Sequence, residues 1–478
     1  MSMIAHKNWN TSLSPRCLFK PSLIALMAGL ALSHGVSAAN FTANSASQLS
    51  ARLADAANNG PGVDVITIQG SIFTGQQIDV QTPVIIQGDS GFRVSRVIRT
   101  STDGFQPLFN IQSPNVTIRN LLLIDQNGQN TNTQVAAEAG NDHSNARLIN
   151  IPYEDAYQQI TNITIENNTF ENTPVGIASS GLIPHNLTIS NNDFIKVNRS
   201  VELLRDVGRV YNVWNVNADN VVLNGGTLNI SNNRIRGNRV RLGISVDAGN
   251  DGVYVPPSFT NIPFFDAAAR AQFSDKPVVF ANGSQVNSNI VEGANEFGIA
   301  LATVANLSVS GNTVSTTEDD INSSADIENN FTAGINVEHN AANIVVDSNT
   351  ITVGASGNFA TGINVLSFQD HHAPLNHAQA SQNITLVRNI FKGTGENTIL
   401  GFGFSNLVIQ DNDASQFTTR NPYQVTASFY NVPCGLSTST ARGTNTNIRY
   451  NQSAFNGTGN APQYYDKNGN VVSGYTCQ

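Results

Sequence analysis

A nine-residue pattern recurs along most of the chain, and it constrains the fold more than any other feature. The pattern reads asparagine, apolar, any, apolar, any, any, asparagine, any, apolar. Because its apolar residues alternate, each copy is predicted to be a short strand with one buried face. The clear copies begin at Asn162, Asn186, Thr227, Asn306, Asn343, Asn383 and Asn406, and weaker ones begin at Asn115, Gly283 and Asn447.

A second strand with its own signature stands between successive copies. It begins with Gly-Ile and continues with alternating residues, at Gly176, Gly243, Gly298, Gly334 and Gly362. Pairs of copies such as Asn162 and Asn186 are separated by about 23 residues, which is within the range of solenoid repeats. The longer gaps are interpreted as inserted loops. Each coil therefore holds at least two strands, and equivalent positions are expected to stack about 4.8 Å apart.

The second asparagine of each copy is expected to form the turn that ends the strand. Asparagine tolerates the left-handed backbone conformation that such turns use. Stacked asparagine side chains can also exchange amide hydrogen bonds from coil to coil. Such a ladder explains why asparagine is abundant while only 12% of the residues are charged, about half of the ordinary share.

This pattern resembles the right-handed parallel β-helix of the pectate-lyase-like superfamily, over roughly residues 60–455. The resemblance implies an all-β solenoid. It does not identify one enzyme family, because the superfamily is functionally mixed. Only Asp319-Asp320 matches the motifs of polygalacturonases, and Asp370-His371-His372 is a partial match to the Asp-Pro-His-Asp element of mannuronan epimerases. No catalytic residue is therefore carried over from a family.

The first 38 residues have the features of a signal peptide. Lys7, Arg16 and Lys20 precede an apolar run over 23–32, and Val36-Ser37-Ala38 forms a small-residue cleavage site. No apolar run reaches the roughly 20 residues of a membrane span. The protein is therefore expected to be secreted or periplasmic. Four regions are predicted: a signal peptide (1–38), an N-terminal cap helix (40–60), a parallel β-helix with inserted loops (61–420) and a C-terminal cap (421–478).

Both predicted caps rest on local sequence. Ser45-Ala-Ser-Gln48 resembles a capping box, and the apolar residues that follow suit a helix that covers the first coil. The first strands are predicted at 65–68 and 84–86. Removal of the signal peptide takes Cys17 and leaves Cys434 and Cys477, which are expected to form a disulfide that ties the C-terminal cap. Two free thiols are the alternative.

The net charge of −9, which becomes −12 after removal of the signal peptide, argues against nucleic acid as a partner. Function on a solenoid lies on its outward residues and loops. Carboxylates and imidazoles follow the Gly-Ile strands, and these predict a Ca²⁺ site through oxygen ligands. The predicted metal ligands are Asp247, Asp251, Glu338 and Asp370.

A group of arginines stands out in this acidic chain, and arginine pairs with carboxylates in bidentate geometry. Arg234 and Arg236 flank Ile235, which is predicted to point inward, so the two arginines share a face. The residues predicted to bind a sugar carboxylate are Arg205, Arg234 and Arg236. The predicted catalytic residues are Arg241, His339 and His371, because each could take a proton from a bound uronate.

Two functions follow from these residues, with a third in reserve. The first is an exported monomer that binds an acidic polysaccharide or cell-surface glycan along one face, with β-elimination as its enzymatic form. The second is a non-catalytic secreted or surface solenoid that resembles an adhesin. The third is a periplasmic protein that handles metal through the loop with His371, His372 and His377.

Overall fold

The structure is a computed structural model of the chain. It describes residues 38–91, 94–104, 106–128, 146–152, 160–179, 182–204, 224–248, 277–317, 332–338, 340–354, 360–366, 381–402, 404–419, 427–430, 448–450, 455–456, 463–465 and 471–472.

The described strands stack into three parallel ladders, and the repeat strands form the first of them. Two further short strands, Asn224–Gly226 and Val278–Phe280, pair with each other and join the same sheet beside Val304–Ser310. In order along the stack, the first ladder consists of Asn40–Ala43, Asp64–Ile68, Val84–Gly88, Val116–Arg119, Thr161–Glu166, His185–Ser190, Leu228–Ser231, Gln285–Asn287, Val304–Ser310, Ala342–Asp347, Ser381–Val387, Phe404–Gln410 and Ile448–Tyr450.

The second and third ladders are joined, because four long strands run through the corner between them. These are Thr169–Ser179, Asp193–Leu204, Arg234–Asp247 and Ile290–Ala302. The second ladder also contains Ser71–Thr74, Arg96–Arg99, Leu122–Asp125, Thr313–Thr316, Thr350–Val353, Ile390–Gly395, Asn412–Thr419 and Phe455–Asn456. The third also contains Ile78–Val80, Phe109–Ile111, Arg147–Ile151, Thr332–Glu338, Ala360–Leu366, Asn397–Phe402, Ala427–Tyr430 and Gln463–Tyr465, followed by the antiparallel strand Val471–Val472.

The core is a continuous column of apolar side chains, because alternate residues of every ladder point inward. In the copy that begins at Asn162, Ile163 and Ile165 are buried and the intervening Thr164 is partly exposed. Equivalent residues of neighbouring coils touch one another. Phe170 and Phe194 stack with their ring centroids 4.7 Å apart. The alternation predicted from the repeat is therefore the alternation of the structure.

The predicted asparagine ladder is present and buried. The side-chain amide of each member donates to the next member's carbonyl oxygen, from Asn168 to Asn192 at 3.2 Å and from Asn192 to Asn233 at 3.0 Å. Each amide also donates to a backbone carbonyl, as Asn192 does to Ile165 at 2.9 Å. The members are Asn168, Asn192, Asn233, Asn289, Asn312, Asn349, Asn389 and Asn412.

The left-handed turn residue is not the ladder asparagine, and the prediction that placed it there was wrong. The positive φ lies one residue earlier, as at Asn167 (φ 56°) and Asn191 (φ 56°). Arg388 occupies the same turn position at φ 55°, so asparagine is not required there. The ladder residue is asparagine because it must donate and accept hydrogen bonds inside the core. The first asparagine of each copy also has a positive φ, for example Asn162 at 60°.

The glycine of the Gly-Ile signature is required by the corner between the second and third ladders. A Cβ atom built on Gly298 would lie 2.2 Å from Cγ1 of Val314 and 2.6 Å from the carbonyl oxygen of Gly334. A Cβ atom on Gly334 would lie 2.4 Å from Cγ2 of Ile351. Only a residue without a side chain lets the strand pass this close to the core of the next coil.

A helix, Ala46–Asn58, lies within the range predicted for it. Its N-cap is Ser45, whose hydroxyl accepts the Gln48 N–H at 3.3 Å. The Gln48 side chain in turn accepts the N–H of Asn44 at 3.0 Å. The apolar face packs against the first strands, with Leu49 fully buried. The predicted start of the sheet was wrong, because Asn40–Ala43 is already a strand and pairs with Asp64–Ile68.

The C-terminal part is described only as short strands between 427 and 472. Cys434 and Cys477 lie outside the described residues, so their pairing stays a prediction. Within the ranges given above, no helix is long and apolar enough to cross a membrane.

Candidate functional site

The most polar line of positions on the outer side of the third ladder is one straight row of stacked residues, here called the outer row. Its members alternate with core residues such as Ile335 and Val337, so they point away from the core. Successive members are strand partners, about 4.8 Å apart. The outer row consists of Asp79, Asn110, Asn150, Ala178, Glu202, Ser245, Ala300, Asn336 and Asn364.

The outward direction of Ser245, Ala300, Asn336 and Asn364 agrees with the sequence prediction, but these residues are not solvated surface. Ser245 is 5% exposed, and Asn336 and Asn364 are completely buried. Neither polar atom of the Asn336 amide has a hydrogen-bond partner, and the Nδ2 of Asn364 has none either. Buried amides of this kind are uncommon in proteins and indicate positions where a ligand or water completes the bonding.

At the N-terminal end of the outer row, the polar residues join into a network. Nδ2 of Asn150 donates to Oδ1 of Asn110 at 2.9 Å, and Nδ2 of Asn110 donates to Asp79 at 3.1 Å. Arg147 donates to Oδ1 of Asn150 at 2.7 Å. Asp79 is exposed, whereas Asn110 and Asn150 are buried. The network therefore runs from the protein surface into a buried polar region.

Two arginines flank the outer row on the same line of positions. Arg147 and Arg199 are both strand partners of Val175, which places them two coils apart, about 10 Å. Arg199 donates to Glu202 at 2.7 Å, with the two side chains 14% and 6% exposed. We call Asn110, Arg147, Asn150, Arg199 and Glu202 the charged cluster.

The electrostatics of the charged cluster show that its members interact across coils. Burial lowers the pKa of Arg147, the Glu202 carboxylate opposes this effect, and the positive charge of Arg199 adds to it. A carboxylate and two guanidinium groups thus share one partly buried environment. Charges interact more strongly there than in water, because the effective dielectric constant is lower. The arrangement can recognise an anionic polar ligand.

Two of the predicted metal ligands lie on one line, further along the third ladder. Asp247 and Glu338 are each a strand partner of Ala302, so their backbones are about 10 Å apart. Both are half-buried. Among the described residues, no three His, Cys, Asp or Glu side chains are close enough to hold a metal ion. The other two predicted ligands, Asp251 and Asp370, lie outside the described ranges.

Arg241 lies near the corner that leads into the third ladder. Its Nε donates to the carboxylate of Glu296 on the neighbouring coil, and both side chains are about one-third exposed or less. Its residue partner along the strand, Leu242, belongs to the same line as Arg199. The structure therefore places this predicted catalytic residue at the edge of the outer face that carries the charged cluster.

Arg234 and Arg236 lie on the second ladder, and Ile235 between them is buried as the alternation predicted. Each is half-exposed and forms an ion pair with an adjacent coil. Arg234 pairs with Glu292 at 3.1 Å, and Arg236 pairs with Asp193 at 2.7 Å. The pairing with carboxylates was the alternative to ligand binding considered from the sequence.

The remaining predicted site residues lie outside the described residues. These are Arg205, Asp251, His339, Asp370 and His371. Their predicted roles stay predictions.

The sequence patterns did not identify Arg147 or Arg199 as site residues. The signal is nevertheless present, because Arg147-Leu-Ile-Asn150 and Arg199-Ser-Val-Glu202 align with the Gly-Ile strands. In both segments the corner glycine is replaced, by Leu148 and by Ser200. Coils that lack the glycine signature were overlooked for that reason, although they carry the charges.

No protein-family model matches the sequence, and no curated protein matches it either. Solved structures do match. PfbA, a surface adhesin of Streptococcus pneumoniae, aligns over 88% of this chain and 89% of its own, with 12% identity and a TM-score of 0.52. The chain is a parallel β-helix.

Two further solved structures are similar at lower TM-scores. The A-module of the mannuronan C-5 epimerase AlgE6 of Azotobacter vinelandii is 13% identical, with a TM-score of 0.46 and coverage of 84% of this chain and 93% of its own. A PL6 alginate lyase in complex with a trisaccharide is 13% identical, with a TM-score of 0.38 and 91% coverage of both chains. The fold assignment rests on the first match and on the ladders themselves.

Proposed function

We propose that the protein is exported and binds an acidic polysaccharide along the outer face of the third ladder. The observation that carries this proposal is the charged cluster, in which Arg147 and Arg199 lie two coils apart on one line beside stacked amides. A linear polymer suits a linear array of groups. Arginine suits carboxylates because its planar group donates two parallel hydrogen bonds.

The amides of the outer row supply the second requirement of sugar recognition. Sugar hydroxyls donate and accept hydrogen bonds, and an asparagine side chain does both. Asn336 and Asn364 have amide atoms that lack partners, so a bound hydroxyl would complete their hydrogen bonds. Contact with the polymer begins at the accessible members of this face, Asp79 and the half-buried arginines of the charged cluster.

Binding to a panel of polymers tests this proposal. Titration calorimetry with polymannuronate, polyguluronate and polygalacturonate is expected to detect binding of at least one of them, with an affinity that falls as salt rises, since ions screen charges near the surface. A neutral polymer such as dextran is the control and is expected not to bind. Equal binding of dextran, or no binding of any polyuronate, would contradict the proposal.

The enzymatic form of this proposal is β-elimination. A base removes the proton on the carbon next to the uronate carboxylate, the bond to the leaving sugar oxygen breaks, a carbon–carbon double bond forms, and the leaving oxygen takes a proton. Arg241, His339 and His371 are the proposed bases. Arg205, Arg234 and Arg236 are the proposed further contacts to sugar carboxylates.

Calcium is the proposed cofactor of the elimination, held by Asp247, Asp251, Glu338 and Asp370. Hard oxygen ligands suit this ion, and its charge would stabilise the carboxylate as negative charge develops. An absorbance assay for unsaturated uronates, with Ca²⁺ and with a chelator, tests both ideas. Product that forms only with Ca²⁺ is expected. Binding without any product would leave the non-catalytic form.

The non-catalytic alternative is an adhesin-like solenoid, and the fold shared with the surface adhesin PfbA favours it. In this form the charged cluster holds a glycan of a cell surface without cleaving it. The N-terminal helix and the Cys434–Cys477 disulfide are proposed to cap the two ends of the stack in either form, because a solenoid must protect its open edges.

A further inference from the structure

A buried carboxylate near the N-terminal end of the solenoid lacks a cation. Asp64, the first residue of its strand, is 1% exposed. Its Oδ1 accepts the backbone N–H of Ala39 at 2.6 Å and the Nδ2 of Asn59 at 2.9 Å. Its Oδ2 is buried and has no hydrogen-bond partner. Among the described residues, no cationic side chain forms an ion pair with Asp64.

Such a carboxylate is costly, because an ionised group loses its hydration on burial and needs a positive partner to compensate. Its nearest donor is the backbone nitrogen of Ala39, which immediately follows the predicted cleavage site Val36-Ser37-Ala38. Ala39 is also held by its carbonyl oxygen, which accepts the Val65 N–H at 2.9 Å. Ala38, on the other side of the peptide bond, is exposed.

We infer that the chain is cleaved between Ala38 and Ala39 and that the new α-ammonium group of Ala39 becomes the ion-pair partner of Asp64. Hydrolysis by a peptidase of the exporting cell breaks the peptide bond with one water molecule, leaving a carboxylate on Ala38 and an ammonium on Ala39. The single N–H donor becomes a charged group with three donors. It remains at Oδ1 and supplies the donor that Oδ2 lacks.

This inference rests on the export that we propose, and it adds a consequence for stability. Maturation would not only release the chain but also complete its first coil, since the strand Asn40–Ala43 begins one residue after the new terminus. The chain that still carries residues 1–38 has an amide at this position. It should therefore depend less on the Asp64 charge than the processed chain does.

The first test is the N-terminal residue of the protein collected from exporting cells. Sequencing is expected to give Ala39. An uncleaved chain would overturn both export and this inference, whereas cleavage at another bond would overturn the inference alone. Polyuronate binding is measured on the same sample, so failure of the glycan proposal is seen separately.

The second test compares Asp64→Asn in the processed chain and in the unprocessed chain made by synthesis without membranes. The expected loss in urea midpoint is clearly larger for the processed chain. Asp55→Asn is the control, because Asp55 is an exposed acidic residue that pairs with Arg52 at 2.7 Å, and it should change both chains little. Equal losses for Asp64→Asn in both chains would overturn the inference.

A third measurement needs no variant and so does not depend on the folding of Asp64→Asn. An ion pair with Asp64 should raise the pKa of the α-amine above its usual value of about 8. Acylation of the Ala39 amine at neutral pH is then expected to be at least about tenfold slower than acylation of a free peptide with the same first residues, since each unit of pKa is tenfold in free amine. Equal rates would contradict the ion pair.

Discussion

Asn192 donates twice to one atom of Asn233, through its backbone N–H at 3.0 Å and through its side-chain amide at 3.0 Å. Asn233 does the same to Asn289 in the next coil. Every ladder asparagine between the ends therefore accepts two hydrogen bonds and donates three. The coils are held together by polar contacts inside an apolar column.

Asn233→Ala is expected to lower the free energy of unfolding by on the order of 3 kcal/mol, because two donors of Asn192 lose their acceptor in a buried site. Urea denaturation measures the loss. Hydrogen exchange adds a local readout, in which the Asn192 amide should exchange faster. Asn162→Gly is the control, since Asn162 is an exposed member of the outer asparagine stack with φ 60°, and glycine keeps that conformation. Equal losses for the two variants would show that burial of the ladder is unimportant.

The corner glycines give a second prediction. Gly298→Ala places a methyl group 2.2 Å from Val314 and is expected to cost about 1–3 kcal/mol of stability through overpacking. Gly75→Ala is the matched control, because its nearest contact would be the Thr100 hydroxyl at 3.5 Å. Thermal or urea unfolding distinguishes them. If Gly298→Ala were as stable as the wild type, the corner would not require glycine.

The buried ion pair of Arg99 and Asp125 predicts a pH dependence. Burial raises the pKa of Asp125 above its ordinary value of 3.8, and the charge of Arg99 only partly opposes this effect. As pH rises above 3.8, the unfolded chain releases this proton first. The contribution of the group to stability is therefore full below pH 3.8 and is lost as pH rises through the folded pKa.

The measurement is the difference in unfolding free energy between the wild type and Asp125→Asn as a function of pH. It should be most favourable to the wild type at low pH and fall as pH rises from 3.8. Asp413→Asn provides the opposite sign, because hydrogen bonds from Ser415 lower the pKa of Asp413, so its contribution is lost below pH 3.8. A difference for Asp125→Asn that rises with pH would contradict the assignment.

The repeat predicted the strands, the core residues and the hydrogen-bonded ladder, because a period of two and a recurring asparagine report directly on stacking. It did not locate the left-handed turn, which several residue types occupy, among them Asn191 and Arg388. Local sequence also gave no sign of the first strand, Asn40–Ala43, since a four-residue strand is formed by pairing with its neighbour rather than by its own composition.

The site was predicted less well than the fold. Outward residues were expected to be solvated, but Asn336 and Asn364 are completely buried, and alternation alone says nothing about what lies over a sheet. The charged cluster escaped notice because Arg147 and Arg199 come together only through register across coils. Arg234 and Arg236 were conspicuous because they are adjacent in sequence, and they lie on another ladder.

The most direct test of the proposed function is polyuronate affinity of the double variant Arg147→Gln/Arg199→Gln, measured by titration calorimetry against the polymer that the wild type binds. Arg119→Gln is the control, since this arginine lies on the first ladder beside Gln87 and Glu166. Circular dichroism checks that the variants fold. Loss of two charge-assisted contacts at about 1.5–3 kcal/mol each should weaken binding at least about a hundredfold, while Arg119→Gln binds as the wild type does. Unchanged affinity in a folded double variant would contradict the central claim.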